Sequence, residues 1–281
     1  MGVTLGSGTT VNLENIPLRQ FHNLSIHPAT PVVIVVSYIA IVQWLNGSRS
    51  KSLSRVEAKR QCLELVDEKA LKYKQSGPWM TAFVVLHNVL LAGFSYWCAT
   101  NYTSFFAKVV DQESLKEAYC DSNLTIWNNM YKFNYLFYLS KYYELIDTFI
   151  ILAKGRKATL LQTYHHAGAI TTMWLGCYFG SPQLIFFVIE NSIIHTLMYT
   201  YFALTAMGFS PPGKKYLTHL QIGQFLLGLV FIALYITLPN CLTPLQKNLI
   251  YVMLSYLIPL LYLFVDFSIK TYGRKKKTKT L

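Results

Sequence analysis

Tyr216-Leu-Thr-His-Leu-Gln-Ile-Gly-Gln-Phe-Leu-Leu-Gly-Leu-Val-Phe-Ile-Ala-Leu-Tyr-Ile-Thr-Leu238 runs without one Asp, Glu, Lys or Arg. At about 1.5 Å of rise per residue such a helix spans the ~30 Å hydrocarbon layer of a bilayer. Working outward, comparable stretches occur at 27–46, 79–99, 128–152, 159–180, 183–206 and 247–268, which makes seven predicted spans. Composition agrees. With 53% hydrophobic and only 14% charged residues, the chain of 281 has too little charge to cover a soluble surface. The fold expected is an all-α membrane protein in a single integral domain: a segment 1–26, a seven-helix region 27–268 and a basic tail 269–281.

The net charge of +12 would suggest a nucleic-acid binder if it were clustered on a folded surface, but it lies in loops and the tail. Nineteen of the 25 Lys and Arg fall in 48–77, 154–157, 209–215 and after 269, all on one side of the predicted membrane. The other side has Arg19, Lys108, Lys116 and Lys247. The basic side is therefore read as cytosolic, with the N-terminus lumenal and the C-terminus cytosolic. The first 26 residues lack a basic n-region and a small-residue cleavage site, so no signal peptide is read. The lysine-rich tail serves as a stop-transfer anchor at anionic headgroups, and it is also a weak address for the endoplasmic reticulum.

Asn23, Asn101 and Asn123 are glycosylation candidates on the lumenal side, and a fourth sequon, Asn46, abuts the membrane on the opposite side. Cys120 and Cys241 both fall on the lumenal side, where an oxidising space permits a disulfide between them. Cys62, Cys98 and Cys177 are expected to be free thiols.

Ionisable groups inside spans are costly, so each is a candidate for function. The third span carries Lys141, Glu144 and Asp147 at spacings of three, on adjoining parts of one helical face. They form either a self-neutralising ion-pair ladder or a support that orients a histidine. The fourth span opens with Leu161-Gln162-Thr163-Tyr164-His165-His166, and Gln162 lies one turn before both imidazoles. The fifth places Asn191 and His195 on one face. The sixth offers His219, Gln221 and Gln224, either as cavity lining or as interhelical contacts. His87 stands alone in the second span.

Seven histidines without an HxxxH pair are too few for a membrane di-iron site. Adjacent ligands on a helix diverge by about 100°, which also disfavours a shared zinc. No metal and no bound cofactor are expected. Two imidazoles at the mouth of an apolar tunnel suit acyl transfer from a thioester, and the basic Lys154, Arg156 and Lys157 would attract a phosphate-bearing carrier such as coenzyme A. Seven helices with a polar interior also describe a transporter of a lipid or small anion, but no internal repeat is visible and the polar groups cluster towards one side.

Four motifs carry a closer likeness: Lys141-Tyr-Tyr-Glu-Leu-Ile-Asp-Thr148, Leu161-Gln-Thr-Tyr-His-His166, Asn191-Ser-Ile-Ile-His-Thr-Leu-Met-Tyr199 and Leu220-Gln-Ile-Gly-Gln-Phe225. In order and spacing they resemble the ELO fatty acid elongases. The resemblance implies condensation of a long-chain acyl-CoA with malonyl-CoA to 3-ketoacyl-CoA, CO2 and CoA, in the endoplasmic reticulum membrane. It implies six helices ringed around an acyl tunnel closed on the lumenal side. It also implies His165 as nucleophile through an acyl-imidazole, His166 and His195 as assistants, and Gln162, Asn191, Lys141, Glu144 and Asp147 in orienting roles. Tyr199, Gln221 and Gln224, with the basic turn 154–157, are assigned to substrate binding. The expected partners are the bilayer and both CoA esters, with other elongation-cycle enzymes and a second copy of the chain as candidates and no nucleic acid. Two departures stand out: Gln162 replaces the first histidine of the usual box, and Glu190 precedes the Asn191 motif where an apolar residue is usual.

Overall fold

The computed structural model describes residues 2–6, 8, 10–12, 16–62 and 77–273. The basic loop at 63–76 and the tail from 274 onward lie outside the described residues. Eleven α-helices occupy most of the rest: α1 His22–Ile26, α2 Ala29–Cys62, α3 Pro78–Gln112, α4 Leu115–Cys120, α5 Thr125–Asn129, α6 Tyr131–Tyr143, α7 Leu145–Ala153, α8 Leu160–Phe179, α9 Gln183–Ala206, α10 Lys214–Thr237 and α11 Pro244–Tyr272. The helix signals are local. Pro78 opens α3 at a position that needs no N–H donor, Thr159 caps α8 by accepting from the Gln162 amide, and Thr243 with Gln246 forms a capping box on α11. Gly180 ends α8 with a φ of 63°, a left-handed conformation that a side chain would strain.

Among the described residues, five segments are long and apolar enough to cross a bilayer: Ala29–Ser48, Pro78–Gln112, Gln183–Ala206, Lys214–Thr237 and Pro244–Tyr272. The other two predicted spans are helical but fall short of that standard: 128–152 is broken into short helices, and α8, 20 residues long, carries Gln162, His165 and His166 among its apolar residues. The continuous helix predicted over 128–152 is three pieces, α5, α6 and α7. The last break falls at Glu144, whose carbonyl accepts from the Asp147 amide three residues on, a tightened turn at the point where the buried ion pair sits. The predicted end of the second span at residue 99 is also too early. α3 continues to Gln112, and at about 1.5 Å per residue its 35 residues reach roughly 52 Å, well beyond the hydrocarbon layer.

Large apolar side chains stand exposed along the outer helices, among them Val32, Val36, Leu86, Leu90, Val230 and Ile258, as lipid contact requires. Trp79 and Tyr216 are exposed at the starts of α3 and α10, and Trp44 near the end of the apolar stretch 29–48 of α2, all towards the basic loops, where amphipathic rings favour the interface. Inside, α3 packs most extensively on α9, and α8 touches α2, α6 and α11. The main core gathers Trp127, Tyr131, Tyr135, Phe137 and Tyr138 with Tyr102, Ile170 and Met173. Hydroxyls buried there have partners: Tyr131 meets His22 Nε2 at 2.8 Å, Tyr135 meets Ser25 at 3.0 Å, and Tyr138 donates to the Ser25 carbonyl at 2.8 Å.

Within the N-terminal segment before α1, Gly2–Thr4 pairs antiparallel with Thr10–Asn12. The turn of this hairpin lies against α8: a Cβ on Gly6 would come 2.1 Å from the Tyr178 ring. That proximity explains glycine there.

Cys120 and Cys241 are joined, tying α4 to the loop between α10 and α11 across 121 residues of sequence. Around the bridge Tyr119 stacks on Tyr235 at 4.3 Å, and Tyr235 donates to the Tyr119 carbonyl at 2.8 Å. Closing so long a loop stabilises by about 2–5 kcal/mol, so Cys120→Ser is expected to lower the unfolding free energy in detergent by that amount. Equal stability of oxidised, reduced and Cys120→Ser protein would contradict this.

Beside the bridge, Asp121 is buried with its two carboxylate oxygens accepting the Ile126 and Trp127 amides, each at 2.8 Å, which caps α5. Burial outweighs those bonds and pushes its pKa up to about 6. A carboxyl raised from an ordinary ~3.9 contributes stability that is complete below about pH 4 and lost as pH rises through about 6. Unfolding measured from pH 4.5 to 7.5 should show that decline, of order 2–3 kcal/mol in total, and Asp121→Asn should flatten it. A slope that survives in the variant would assign the dependence to another group.

Candidate active site

The three candidate histidines come together where α8 and α9 approach the break between α6 and α7. Their rings are buried or half-buried, and the centroids of His165 and His166 lie 5.4 Å apart. The Tyr256 hydroxyl contacts both His165 Nδ1, at 3.3 Å, and the His165 carbonyl oxygen, at 3.0 Å. One hydroxyl carries one proton. Donation to the carbonyl, the shorter contact, leaves the tyrosine oxygen to accept from Nδ1–H, so the His165 Nε2 is the unprotonated nitrogen. Room for this tyrosine comes from Gly168, three residues along α8, where a Cβ would lie 1.9 Å from the Tyr256 ring.

His166 is held differently. Its Nε2 lies 2.8 Å from the Gln162 amide nitrogen, so with the amide so oriented that nitrogen accepts and the proton resides on Nδ1. Gln162 therefore engages the second imidazole of the pair, and its amide also approaches Thr148 at 3.4 Å. Tyr38, from α2, bonds the same Thr148 at 2.9 Å and sets its ring edge-on to His166.

Lys141, Glu144 and Asn191 form one buried cluster. The ammonium donates to Glu144 Oε1 at 2.8 Å and to Asn191 Oδ1 at 3.1 Å, and it sits 3.9 Å from the centre of the Phe137 ring. His195 Nδ1 lies 3.8 Å from the same Glu144 oxygen, too far for a hydrogen bond. The amide partnership predicted between Asn191 and His195 is replaced, because the asparagine oxygen is taken by Lys141.

Asp147 does orient a histidine, but the histidine is His87. His87 Nε2 and Asp147 Oδ1 are 2.9 Å apart, and the Tyr199 hydroxyl donates to Asp147 Oδ2 at 2.8 Å. The solitary reading of His87 is thus corrected. Tyr199, assigned to substrate binding, is almost fully buried and holds this triad while its ring meets His195 edge-on at 5.3 Å. Sequence reasoning also missed Tyr256; Gly168, next to the histidine pair, was the only signal of it.

Of the other candidates, Gln221 donates to the Met198 sulfur at 3.3 Å and the exposed His219 stands apart from the cluster. Lys154, Arg156 and Lys157 lie on the turn between α7 and α8. Asn46 fastens that turn, donating to the Ala158 carbonyl and accepting its amide, both at 3.0 Å. The same bonds occupy the side chain that a sequon would offer for glycosylation. Asn23 and Asn123 are exposed, whereas Asn101 sits inside α3 and donates to the Trp97 carbonyl at 2.8 Å. Cys98 and Cys177 are free and buried. Among the described residues no three His, Cys, Asp or Glu side chains converge as metal ligands would.

A pocket lies between α8, α9, α10 and α11. Tyr256, which holds His165, forms part of its wall, and Gln224 faces it. At the far end the wall is Phe186, Phe231 and Tyr235, aromatic rings packed on Tyr119 beside the disulfide. The arrangement is a pair of imidazoles linked through Tyr256 to the wall of an apolar pocket that ends against stacked rings.

Comparison with known proteins gives a family match. The family model described as ELO: GNS1/SUR4 family matches residues 23–280. The chain is 28% identical over 189 residues to fatty acid elongase sre1 of Dictyostelium discoideum, covering 64% of this chain and 69% of that protein. It is 35% identical over 155 residues to very long chain fatty acid elongase 4 of Homo sapiens, covering 51% and 47%. With very long chain fatty acid elongase 5 of Xenopus laevis the identity is 34% over 149 residues, covering 51% and 50%. The similarity thus spans about half the length of these last two relatives.

Proposed function

The chain belongs to the ELO (GNS1/SUR4) family, and on that premise we propose that it is a 3-ketoacyl-CoA synthase that condenses a long-chain acyl-CoA with malonyl-CoA. The observation that carries the mechanism is the bond pattern at His165, in which Tyr256, itself part of the pocket wall, engages Nδ1 and the carbonyl and so leaves Nε2 free to act. In the first half-reaction Nε2 attacks the thioester carbonyl. The C–N bond forms, the C–S bond breaks, and CoA departs as a thiolate that takes up a proton. In the second, malonyl-CoA loses CO2. The electron pair of the broken C–C bond becomes an enolate carbon that attacks the acyl-imidazole, restoring His165.

His166 and His195 stabilise the enolate and move protons. Gln162 orients His166, and the Lys141–Glu144–Asn191 cluster fixes the floor on which His195 stands. The basic turn at Lys154, Arg156 and Lys157, next to the N-terminus of α8, attracts the CoA phosphates. The acyl chain fills the apolar pocket, whose aromatic end favours a dead end over a path across the membrane. No resident cofactor or metal enters this scheme. We place the protein in the endoplasmic reticulum membrane with a lumenal N-terminus and a cytosolic C-terminus, following the asymmetry of its basic loops.

The test is a condensation assay on purified protein with malonyl-CoA labelled at its free carboxyl. Release of labelled CO2 that depends on acyl-CoA, with 3-ketoacyl-CoA as product, is expected. Decarboxylation without an acyl-CoA requirement, or no reaction with any chain length, would refute the assignment.

A further inference from the structure

Glu190 takes no part in the scheme above, yet it stands in the wall of the pocket. Its Oε1 is buried with no hydrogen-bond partner. An unpaired carboxyl in an apolar, membrane-embedded wall is a costly placement, and such groups ordinarily find a partner. The neighbours do not supply one. The pocket surface around it is formed by Phe186, Phe187, Phe225 and Met173, and the nearby Thr172 hydroxyl is already spent on the Gly168 carbonyl at 2.8 Å. Gln224, on α10, and Gln183, two turns earlier on α9 with its own amide nitrogen buried and without a partner, are the amide side chains that line the same pocket.

Depth gives the position. Thr172, which lines the same pocket, is seven residues beyond His165 on α8, two turns or about 10 Å deeper. Glu190 reaches a comparable depth on α9, because the two helices run antiparallel through the short Gly180–Pro182 turn and each residue stands seven positions from its own helix end.

We propose that Glu190 is a specificity residue for acyl chains that carry a hydroxyl group in mid-chain. A hydroxyl is the smallest group that donates to a carboxyl oxygen without bringing charge into the pocket, and its own oxygen can accept from the Gln224 amide. For a chain attached at His165 the matching position is about the eighth to tenth carbon, from the ~10 Å separation. A plain chain leaves the carboxyl unpaired and binds less well. A site built to bond a hydroxyl discriminates against the analogue that lacks it more strongly than an apolar pocket discriminates by size. This inference rests on the elongase reading, since the acyl chain must lie in this pocket.

The test compares stearoyl-CoA with stearoyl-CoA hydroxylated at its tenth carbon, in full-length wild type, Glu190→Leu and Glu190→Gln. Two quantities are measured: kcat/KM for elongation with malonyl-CoA, and binding of each ester without malonyl-CoA. Wild type should prefer the hydroxylated chain by about 10-fold or more. The preference should vanish in Glu190→Leu and persist in part in Glu190→Gln, whose amide oxygen still accepts. Elongation of both chains with no preference, or with one that Glu190→Leu does not alter, would overturn the proposal while leaving the elongase reading intact. A Glu190-dependent binding preference without elongation of either chain would uphold the site and refute the elongase reading. Failure of both chains to bind would overturn the site.

Discussion

Replacing His165 by alanine should reduce condensation by about 1,000-fold or more, with the fold intact. On the proposed mechanism this imidazole carries the acyl group, and removing a nucleophile forfeits the covalent route altogether. Stability should change little, because His165 is half-buried and its one side-chain hydrogen bond is with Tyr256. Tyr256→Phe makes a sharper companion. It removes the acceptor for Nδ1–H while keeping the ring that packs over Gly168, so the tautomer is no longer fixed. A loss of about 10- to 100-fold in kcat with little change in KM is expected, since the tyrosine acts through the histidine. His165→Ala with near-normal turnover would shift the nucleophile elsewhere. Equal losses in kcat and stability for Tyr256→Phe would make the tyrosine a packing residue only.

The second large effect is on stability. Lys141 is 2% exposed, and its ammonium is shared between Glu144 and Asn191 over the Phe137 ring. Truncation to alanine leaves the Glu144 carboxylate with a 3.3 Å contact from Ser140 and the distant His195, and leaves the Asn191 oxygen without its donor. Breaking one partner of a buried pair costs about 3–5 kcal/mol, a large part of what a domain has in hand. The double variant Lys141→Met/Glu144→Leu should recover much of that loss, because an apolar pair of similar volume avoids the orphaned charge. A single variant within about 1 kcal/mol of wild type would mean that water or another group already satisfies Glu144. Lysine to arginine is not a gentle change here, since the larger, rigid guanidinium fork cannot reproduce the compact ammonium's two bonds to Glu144 and Asn191 in the same buried space.

The membrane class was legible because a bilayer imposes length and apolarity together, and 216–238 meets both without help from tertiary contacts. The polar cluster was legible for the converse reason: Lys141, Glu144, Asp147, His165, His166 and His195 stand out against an apolar background. Pairing was harder to read. His87 and Asp147 are 60 residues apart, and spacing along one helix says nothing of which helix faces it across the bundle. Spacing likewise suggested an Asn191–His195 bond that Lys141 pre-empts, because a buried ammonium competes for an amide oxygen better than a neutral ring does.

The break at Glu144 escaped for a similar reason. Neither Pro nor Gly marks it; only the fold sets a tightened turn where the ion pair is buried. Beyond residue 99, α3 continues because no Pro or Gly interrupts 99–112, and the Asn101 and Thr103 side chains bond back to carbonyls of their own helix.

The central claim is that the acyl group is carried on His165, and intact-protein mass spectrometry tests it most directly. Purified protein would be incubated with a series of acyl-CoAs in the absence of malonyl-CoA, then weighed before and after malonyl-CoA is added. The account predicts a mass increase of one acyl group, absent in His165→Ala and discharged by malonyl-CoA. Full condensation activity with no acyl adduct at any chain length, or an adduct that persists in His165→Ala, would contradict it.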